Sequence, residues 1–479
     1  MRTNKKRFNI KGHFYISIFL LISVNFNCKE QENSKILYLT HCSPCHHPER
    51  FGISAPPLIP ETLKRKKDGE LKEIIKDGLT ATNMQPFREK LSDTDIESII
   101  NYIRQPAGDI KWDINNIRLS KNIPKKKGLK IKPVLDLMNL FMIVEGGKGL
   151  VHFMNGDNFN LLDNVYVGPI HGGPKFDKEM KYAYMGSRSG WLVKYSLEDW
   201  KDAGRIRAGV NMRNIAISPD GSLLAAANSL PENIVIIDSK TLDPIKVIEA
   251  KGKPSAVYSL KNGEAFIVCF RNNKELWFIN YSDLSIEKIT VDQPFSDFFI
   301  GPDERYFIGA ARNAKHISIF DIQSKKIVKS IETKGMPHLA SAALWKQGKK
   351  YLAAFPHIGT PFLTIVDIDT WKIEKSIKLK GSGFFARTHH NIKHIWADSN
   401  TNTIQLIDKK TMEITNEVTP DTGKKAMHIE FTKNGEYALV SLWDKDGAVV
   451  FYDTKTLTEK LRLPFIKPVG KYNATNKKY

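Results

Sequence analysis

The sequence predicts a small all-α domain followed by an all-β, eight-bladed β-propeller, and three observations carry that prediction. From residue 135 onward, apolar runs end in Asp or Asn at 238, 280, 321, 367, 408 and 453, spaced 42, 41, 46, 41 and 45 residues apart. A repeat of that length made of short β runs is the signature of propeller blades, and the tract 135–479 holds about eight units of roughly 43 residues. An irregular β-sandwich would not sustain such a period. Second, a hairpin signal recurs in the same tract, as Ser218-Pro219-Asp220-Gly221, Lys261-Asn262-Gly263-Glu264, Gly301-Pro302-Asp303-Glu304 and Lys433-Asn434-Gly435-Glu436. Third, the spacing before residue 107 is helical: Ile96, Ile99, Ile100 and Ile103 fall on one face behind a capping Ser92. With 479 residues and 41% hydrophobic content, the chain is long enough for both domains.

Residues 1–27 read as a targeting segment. Arg2, Lys5, Lys6, Arg7 and Lys11 form a basic region ahead of the apolar run from Phe14 to Ile22, which is too short for a confident membrane span. Cys28 stands where a bacterial lipoprotein carries its acylated residue, although Asn25-Phe26-Asn27 departs from the small residues of a strict lipobox. A lipid anchor at Cys28 and a cleaved signal peptide with an incidental cysteine both fit. The formal charge is +20, from 72 basic and 52 acidic residues; without residues 1–27, which hold five basic and no acidic residues, it is +15. A basic exported protein meets anionic partners, such as a lipid surface, an acidic redox protein or a carboxylate-rich ligand. Export excludes nucleic acid as a partner.

Residues 34–106 form the helical domain. Ile36, Leu37 and Leu39 make a short apolar helix running into Cys42-Ser43-Pro44-Cys45-His46. That pentapeptide is what covalent haem c attachment needs: Cys42 and Cys45 bond the porphyrin vinyl groups, and His46 falls beneath the iron as an axial ligand. No second cysteine pair is present to complete a zinc site. Met84, before Gln85-Pro86-Phe87, supplies a thioether for the sixth position. The fold expected is a class I cytochrome c, with the loop from Gly52 to Leu58 against the haem. His41 and His47 read as surface residues. Because bacterial haem c is attached outside the cytoplasm, the motif agrees with export, and the expected location is periplasmic, free or membrane-anchored.

Residues 107–134, with Lys125-Lys126-Lys127, read as a solvated linker, and 135–479 as the propeller. Cys269, inside Ala265-Phe266-Ile267-Val268-Cys269-Phe270, reads as a buried strand residue, and no structural disulfide is expected. Propellers place function on loops converging at the central funnel, so the fold by itself leaves the ligand open.

The combination of the two domains resembles the cytochrome cd1 family. Leu140-Phe141-Met142-Ile143-Val144, Asn233 to Pro244 and Pro468-Val469-Gly470-Lys471-Tyr472-Asn473 are similar to family strings at corresponding places. The resemblance implies a non-covalent haem d1 in the propeller, with His171, in Gly168-Pro169-Ile170-His171, as its proximal iron ligand. Haem d1 carries several carboxylates, so Arg188 and Arg213, and more weakly Arg271 and Arg387, are implied as their partners. Read without the resemblance, each is a rim arginine.

On the distal side the family's nitrite reductases use two histidines. His338 matches one; the other position aligns with Ser296, whose hydroxyl cannot donate protons as an imidazole does near neutral pH. The sequence is more similar to the dihydro-haem d1 dehydrogenases, which oxidise the d1 precursor and pass electrons to their own haem c. That resemblance makes His428 and His389 candidate pocket residues, with an ordinary strand-end histidine as the alternative for each. Three functions follow in order: precursor dehydrogenation, nitrite reduction, and a non-enzymatic haem d1 carrier or electron-transfer lipoprotein. The partners implied are a small periplasmic redox protein and the tetrapyrrole, with a homodimer left open.

Overall fold

A computed structural model describes residues 31–53, 55–64, 66–79, 84–125, 127–314 and 316–478. The chain divides into two compact units, Met1–Ile110 and Lys111–Tyr479.

In the first unit, residues 31–41 are helical and run into the short helix Ser43–His46. The face of that first helix differs from expectation. Ile36 and Leu39 are exposed, and Tyr38 between them is fully buried. The tyrosine is retained inside because its hydroxyl finds acceptors there, donating to the carbonyls of His46 and His47 at 3.2 and 2.8 Å. Helix Asp68–Asp77 buries Leu71 and Ile75. Helix Asp93–Arg104 buries the predicted Ile96, Ile99, Ile100 and Ile103, and Ser92 caps it in a reciprocal box with Asp95. Arg50 donates to the carbonyls of Tyr102, Gln105 and Pro106, each at 2.9 Å, satisfying acceptors that a helix end leaves over.

The second unit is a ring of eight antiparallel sheets. Seven are sequential, at 175–207, 211–249, 254–290, 297–332, 336–378, 386–418 and 426–464; the sixth of all, at 336–378, has a fifth strand. The first sheet is composite. Strands Leu140–Glu145, Leu150–Asn155 and Leu161–Tyr166 take the carboxy-terminal strand Pro468–Asn473 as their fourth member, which closes the ring. Each sheet buries both faces against its neighbours, which is why central strands such as Ala265–Phe270 are apolar throughout.

The repeated Asp or Asn has a local physical cause. Asp238 accepts the Thr241 amide, Asn280 that of Ser282, and Asp321 that of Ser324, at 2.6–2.8 Å. Asp367, Asp408 and Asp453 each take two such amides. Four residues beyond the acceptor, the chain enters the left-handed region, at Leu242, Leu284, Lys325, Trp371, Met412 and Leu457. The side chain thus replaces the backbone partners that the turn between the two outer strands lacks. Asn155 and Ser196 form the same turn in the first two sheets, with Phe159 and Trp200 left-handed.

Residues 111–122 do not behave as solvated linker. Helix Ile114–Leu119 buries Ile117 completely among Tyr184, Leu192, Ile206 and Leu242. Trp112 donates to the Arg207 carbonyl at 3.0 Å, and the Arg207 guanidinium lies 4.7 Å from the Trp112 ring. Ile117→Ala is expected to destabilise the propeller by about 2–4 kcal/mol, read as a lower urea midpoint for the propeller transition; an unchanged midpoint would show that the segment contributes no packing.

Candidate functional sites

The amino-terminal site is built by the turn after residue 41. His46 is buried, and its Nδ1 lies 2.7 Å from the Pro56 carbonyl, an acceptor only, so Nδ1 carries the proton. Burial holds His46 below the ordinary histidine range, keeping the ring neutral with a lone pair on Nε2. The Gly52–Leu58 loop therefore meets the histidine as expected. Gly52 (φ 79°) is required there, since a Cβ would stand 2.4 Å from the Ala55 carbonyl. Cys42 and Cys45 are not joined to each other, and Cys42 packs on the same core as Met84. Two free thiols and a neutral, oriented imidazole fit a covalent haem c. His41 and His47 are half-buried rather than surface residues, the latter stacked on Phe51 at 5.7 Å.

The propeller site gathers residues from the segments entering the innermost strands. His171 precedes strand Lys175–Phe176, in a loop fixed by the Ile170–Ser187 bridge and by the Arg188 amide donating to Pro169 at 2.7 Å. Its Nδ1 meets the Arg213 carbonyl at 2.6 Å, an acceptor only, so Nδ1 carries the proton and Nε2 the lone pair. Burial first, and then the guanidiniums of Arg213, Arg188 and Arg271, push its pKa well below the usual value, so the ring is neutral. Three of the four predicted arginines are thereby gathered around the predicted ligand. Arg213 is buried, and its Nε donates to the Ser255 carbonyl at 3.3 Å. Arg387 stands apart, close enough to Tyr258 and Tyr472 to affect both.

His171 enters the second sheet and His338 the sixth, so the eight-fold ring puts them on opposite sides of the funnel. His338 Nδ1 hydrogen-bonds to the Phe384 carbonyl and lies 2.9 Å from the Ser341 hydroxyl; its Nε2 is 3.6 Å from Asp297 Oδ2. His428 lies in strand Ala426–Phe431 at a register slip between Met427 and Ile429, and its φ of 49° is left-handed. A bulge of this kind re-aims a side chain that the pleat would otherwise alternate away. The His428 ring is 4.7 Å from Phe385 and 5.4 Å from Tyr472.

His389 is a correction. It sits in the turn after strand Ala386–Arg387, with Nε2 3.0 Å from the Lys433 carbonyl and Nδ1 accepting the Asn391 amide at 3.2 Å. Nε2 thus ties the seventh sheet's turn to the eighth's while Nδ1 braces the turn itself, a structural task for both nitrogens.

Four residues were missed in the sequence reading: Asp297, Asp398, Lys471 and Tyr472. Asp398 is fully buried and accepts the Phe384 amide at 2.7 Å. Lys471 is fully buried and donates to the His428 carbonyl and, at 2.9 Å, to Ser441 Oγ. Burial pushes the Tyr472 hydroxyl up to about 12, so it remains protonated. Lys471 and Tyr472 did lie within a quoted family string, but nothing local marked them as pocket residues.

A propeller mouth with a neutral histidine among arginines defines a haem domain for a carboxylate-bearing tetrapyrrole. Residues 135–477 match the Cytochrome D1 heme domain family, and the chain belongs to it. Residues 30–103 match the family of cbb3-type cytochrome c oxidase subunit III. The chain is 37% identical to the dihydro-heme d1 dehydrogenase of Pseudomonas aeruginosa over 461 residues, covering 92% of this chain and 93% of that protein. It is 23% identical to the nitrite reductase of Stutzerimonas stutzeri, covering 94% and 93%. The solved structure of dihydro-heme d1 dehydrogenase NirN in complex with DHE superposes with a TM-score of 0.87 at 36% identity, covering 93% of this chain and 99% of that one.

Burial raises Asp398 from 3.8 to about 6. Since the folded value lies above the unfolded one, the folded protein holds this proton more tightly; the contribution is full below about pH 4 and lost by about pH 6. Relative to Asp398→Asn, the wild-type protein should therefore lose about 3 kcal/mol of stability across that window. Urea midpoints of the two proteins at pH 4 and pH 7 check it, and parallel pH curves would refute it.

Proposed function

We propose that the propeller binds the dihydro precursor of haem d1 and dehydrogenates it, with the electrons delivered to haem c on the amino-terminal unit. The observation that carries this reading is the 37% identity, across nearly all of both chains, to the protein named dihydro-heme d1 dehydrogenase. When bound, the two haem groups would supply the one-electron redox chemistry that this chain's side chains lack.

The chain's own residues bind, orient and move protons. His46 Nε2 and Met84 would hold the haem c iron, and Cys42 and Cys45 the porphyrin. His171 offers a neutral Nε2 to the second iron, fixed in direction by the Arg213 carbonyl. Arg188, Arg213, Arg271 and Arg387 orient the tetrapyrrole through its carboxylates. Across the funnel, His338 and His428 present imidazoles able to accept protons as the precursor loses hydrogen, and Tyr472 presents a protonated hydroxyl that can donate a hydrogen bond.

Nitrite reduction is the second reading, favoured by the relative named nitrite reductase. Against it, Ser296 stands in place of a second distal imidazole, and the carboxyl of Asp297 faces His338. A carboxylate there would repel an anionic substrate.

Full-length protein carrying haem c, titrated with the precursor, should show precursor oxidation together with reduction of the haem c absorbance bands. Binding without electron transfer would replace this reading with a carrier, and efficient turnover of nitrite would favour the second reading. His171→Ala should weaken propeller cofactor binding by at least about tenfold with haem c unchanged; retained d1-type absorbance would contradict the ligand assignment.

Export belongs to the same reading, with a lipid at Cys28 as its anchor. Cys28 and the apolar run 14–22 lie outside the described residues, and no helix among the described residues is long and apolar enough to cross a membrane. The mass of the mature amino terminus decides the anchor: an acylated Cys28 supports it, and cleavage beyond Cys28 removes it.

A further inference from the structure

The residue following Ser296 carries a group that the reading so far has not used. Ser296 itself donates its amide to the Ala310 carbonyl at 2.9 Å, as ordinary strand pairing. Asp297 opens the innermost strand of the fifth sheet and is only 8% exposed. Its two carboxyl oxygens have separate tasks. Oδ1 accepts the amide of Phe298 at 2.9 Å and that of Ala340, in the sixth sheet's entry turn, at 3.1 Å. Oδ2 lies 3.6 Å from His338 Nε2.

The other side of the imidazole fixes what lies between them. His338 Nδ1 faces the Phe384 carbonyl, which can only accept, so Nδ1 carries a proton. At 3.6 Å the contact at Nε2 is of ion-pair rather than hydrogen-bond length, and it is favourable when the ring is imidazolium and the carboxyl is ionised. Burial raises Asp297 above the ordinary carboxyl range, and the charge of His338 works against that rise. Tyr258 and Cys269 also face Asp297, with Arg387 beside Tyr258; Asp398 also faces His338.

We propose that Asp297 is a positioning residue that latches the His338–Ser341 turn through the Ala340 amide and is the counter-charge for His338 when that ring is protonated. This rests on the dehydrogenase reading for its purpose but not for its test. A proton accepted by His338 is then stabilised by a counter-charge already in place, without reorganising the loop that carries the ring.

Two substitutions separate the two tasks in full-length protein carrying haem c. In Asp297→Asn the amide oxygen still accepts from Ala340, but the counter-charge is lost. In Asp297→Ala both are lost. Hydrogen exchange of the 336–342 segment should stay near wild type in Asp297→Asn and quicken about tenfold or more in Asp297→Ala. Carbon-13 histidine NMR, with the His338 signal assigned by its loss in His338→Gln, should show the ring losing its proton at lower pH in Asp297→Asn than in wild type. The acid limb of precursor turnover should move the same way. An unshifted His338 titration in Asp297→Asn would overturn the counter-charge, and unchanged exchange in Asp297→Ala would overturn the latch. Absence of precursor turnover in the wild type would overturn the dehydrogenase reading, while the exchange and NMR results would still decide the role of Asp297.

Discussion

Closure of the ring by the last strand is the constraint on which the rest of the propeller depends. Strand Leu140–Glu145 is the first strand of the ring, but its inner edge has no partner until Pro468–Asn473 pairs with it. The closure is pinned by polar groups as well as by the ladder: Asn473 donates to Asn139, 334 residues away, at 3.0 Å. Glu145, buried at the same junction, accepts the Ile466 amide at 2.8 Å and contacts Lys148 and His152. A closed ring has no long free strand edge, and each sheet's second face is covered only when its neighbour is present. The same strand carries Lys471 and Tyr472 into the funnel, so closing the fold and completing the site are one event.

Lys471 shows how tightly the two are joined. Burial pulls its ammonium well below the usual lysine range, opposed by Glu430 and Asp398. Its donation to the His428 carbonyl supports the backbone at the point where that residue is left-handed and out of register. Removing one member of a buried charged network generally costs on the order of 3–5 kcal/mol, because the others remain buried without compensation. Backbone strain at a functional residue persists only where surrounding contacts hold it in this way.

The funnel is electrostatically divided. On the His171 side three guanidiniums crowd a neutral ring, an arrangement that repels itself and rewards a ligand bringing carboxylates. On the His338 side two buried carboxyls, Asp297 and Asp398, stand among imidazoles and a lysine. Such an interior stores unfavourable interactions that a matching ligand relieves, so binding and stability are linked. The haem c site is simpler in design: one carbonyl, from Pro56, sets the tautomer of His46, and Arg50 secures the end of the helix that carries the apolar face.

What the sequence determined by itself was everything encoded by local interactions. The Cys42–His46 motif, the capped Ile96–Ile103 face and the six Asp or Asn turns depend on partners a few residues away, so their spacing is written directly in the chain. Asn155 and Ser196 escaped notice because a turn of the same shape tolerates a different side chain. The family resemblance pointed to His171 and four arginines, and the structure brings Arg188, Arg213 and Arg271 around that histidine. What only the tertiary structure decided was which groups meet across sheets: that Asp297 faces His338, that Lys471 supports His428, that helix Ile114–Leu119 belongs to the propeller, and that His389 serves a turn. Those meetings join residues from about forty to more than a hundred positions apart, and they depend on how each sheet is set against the next.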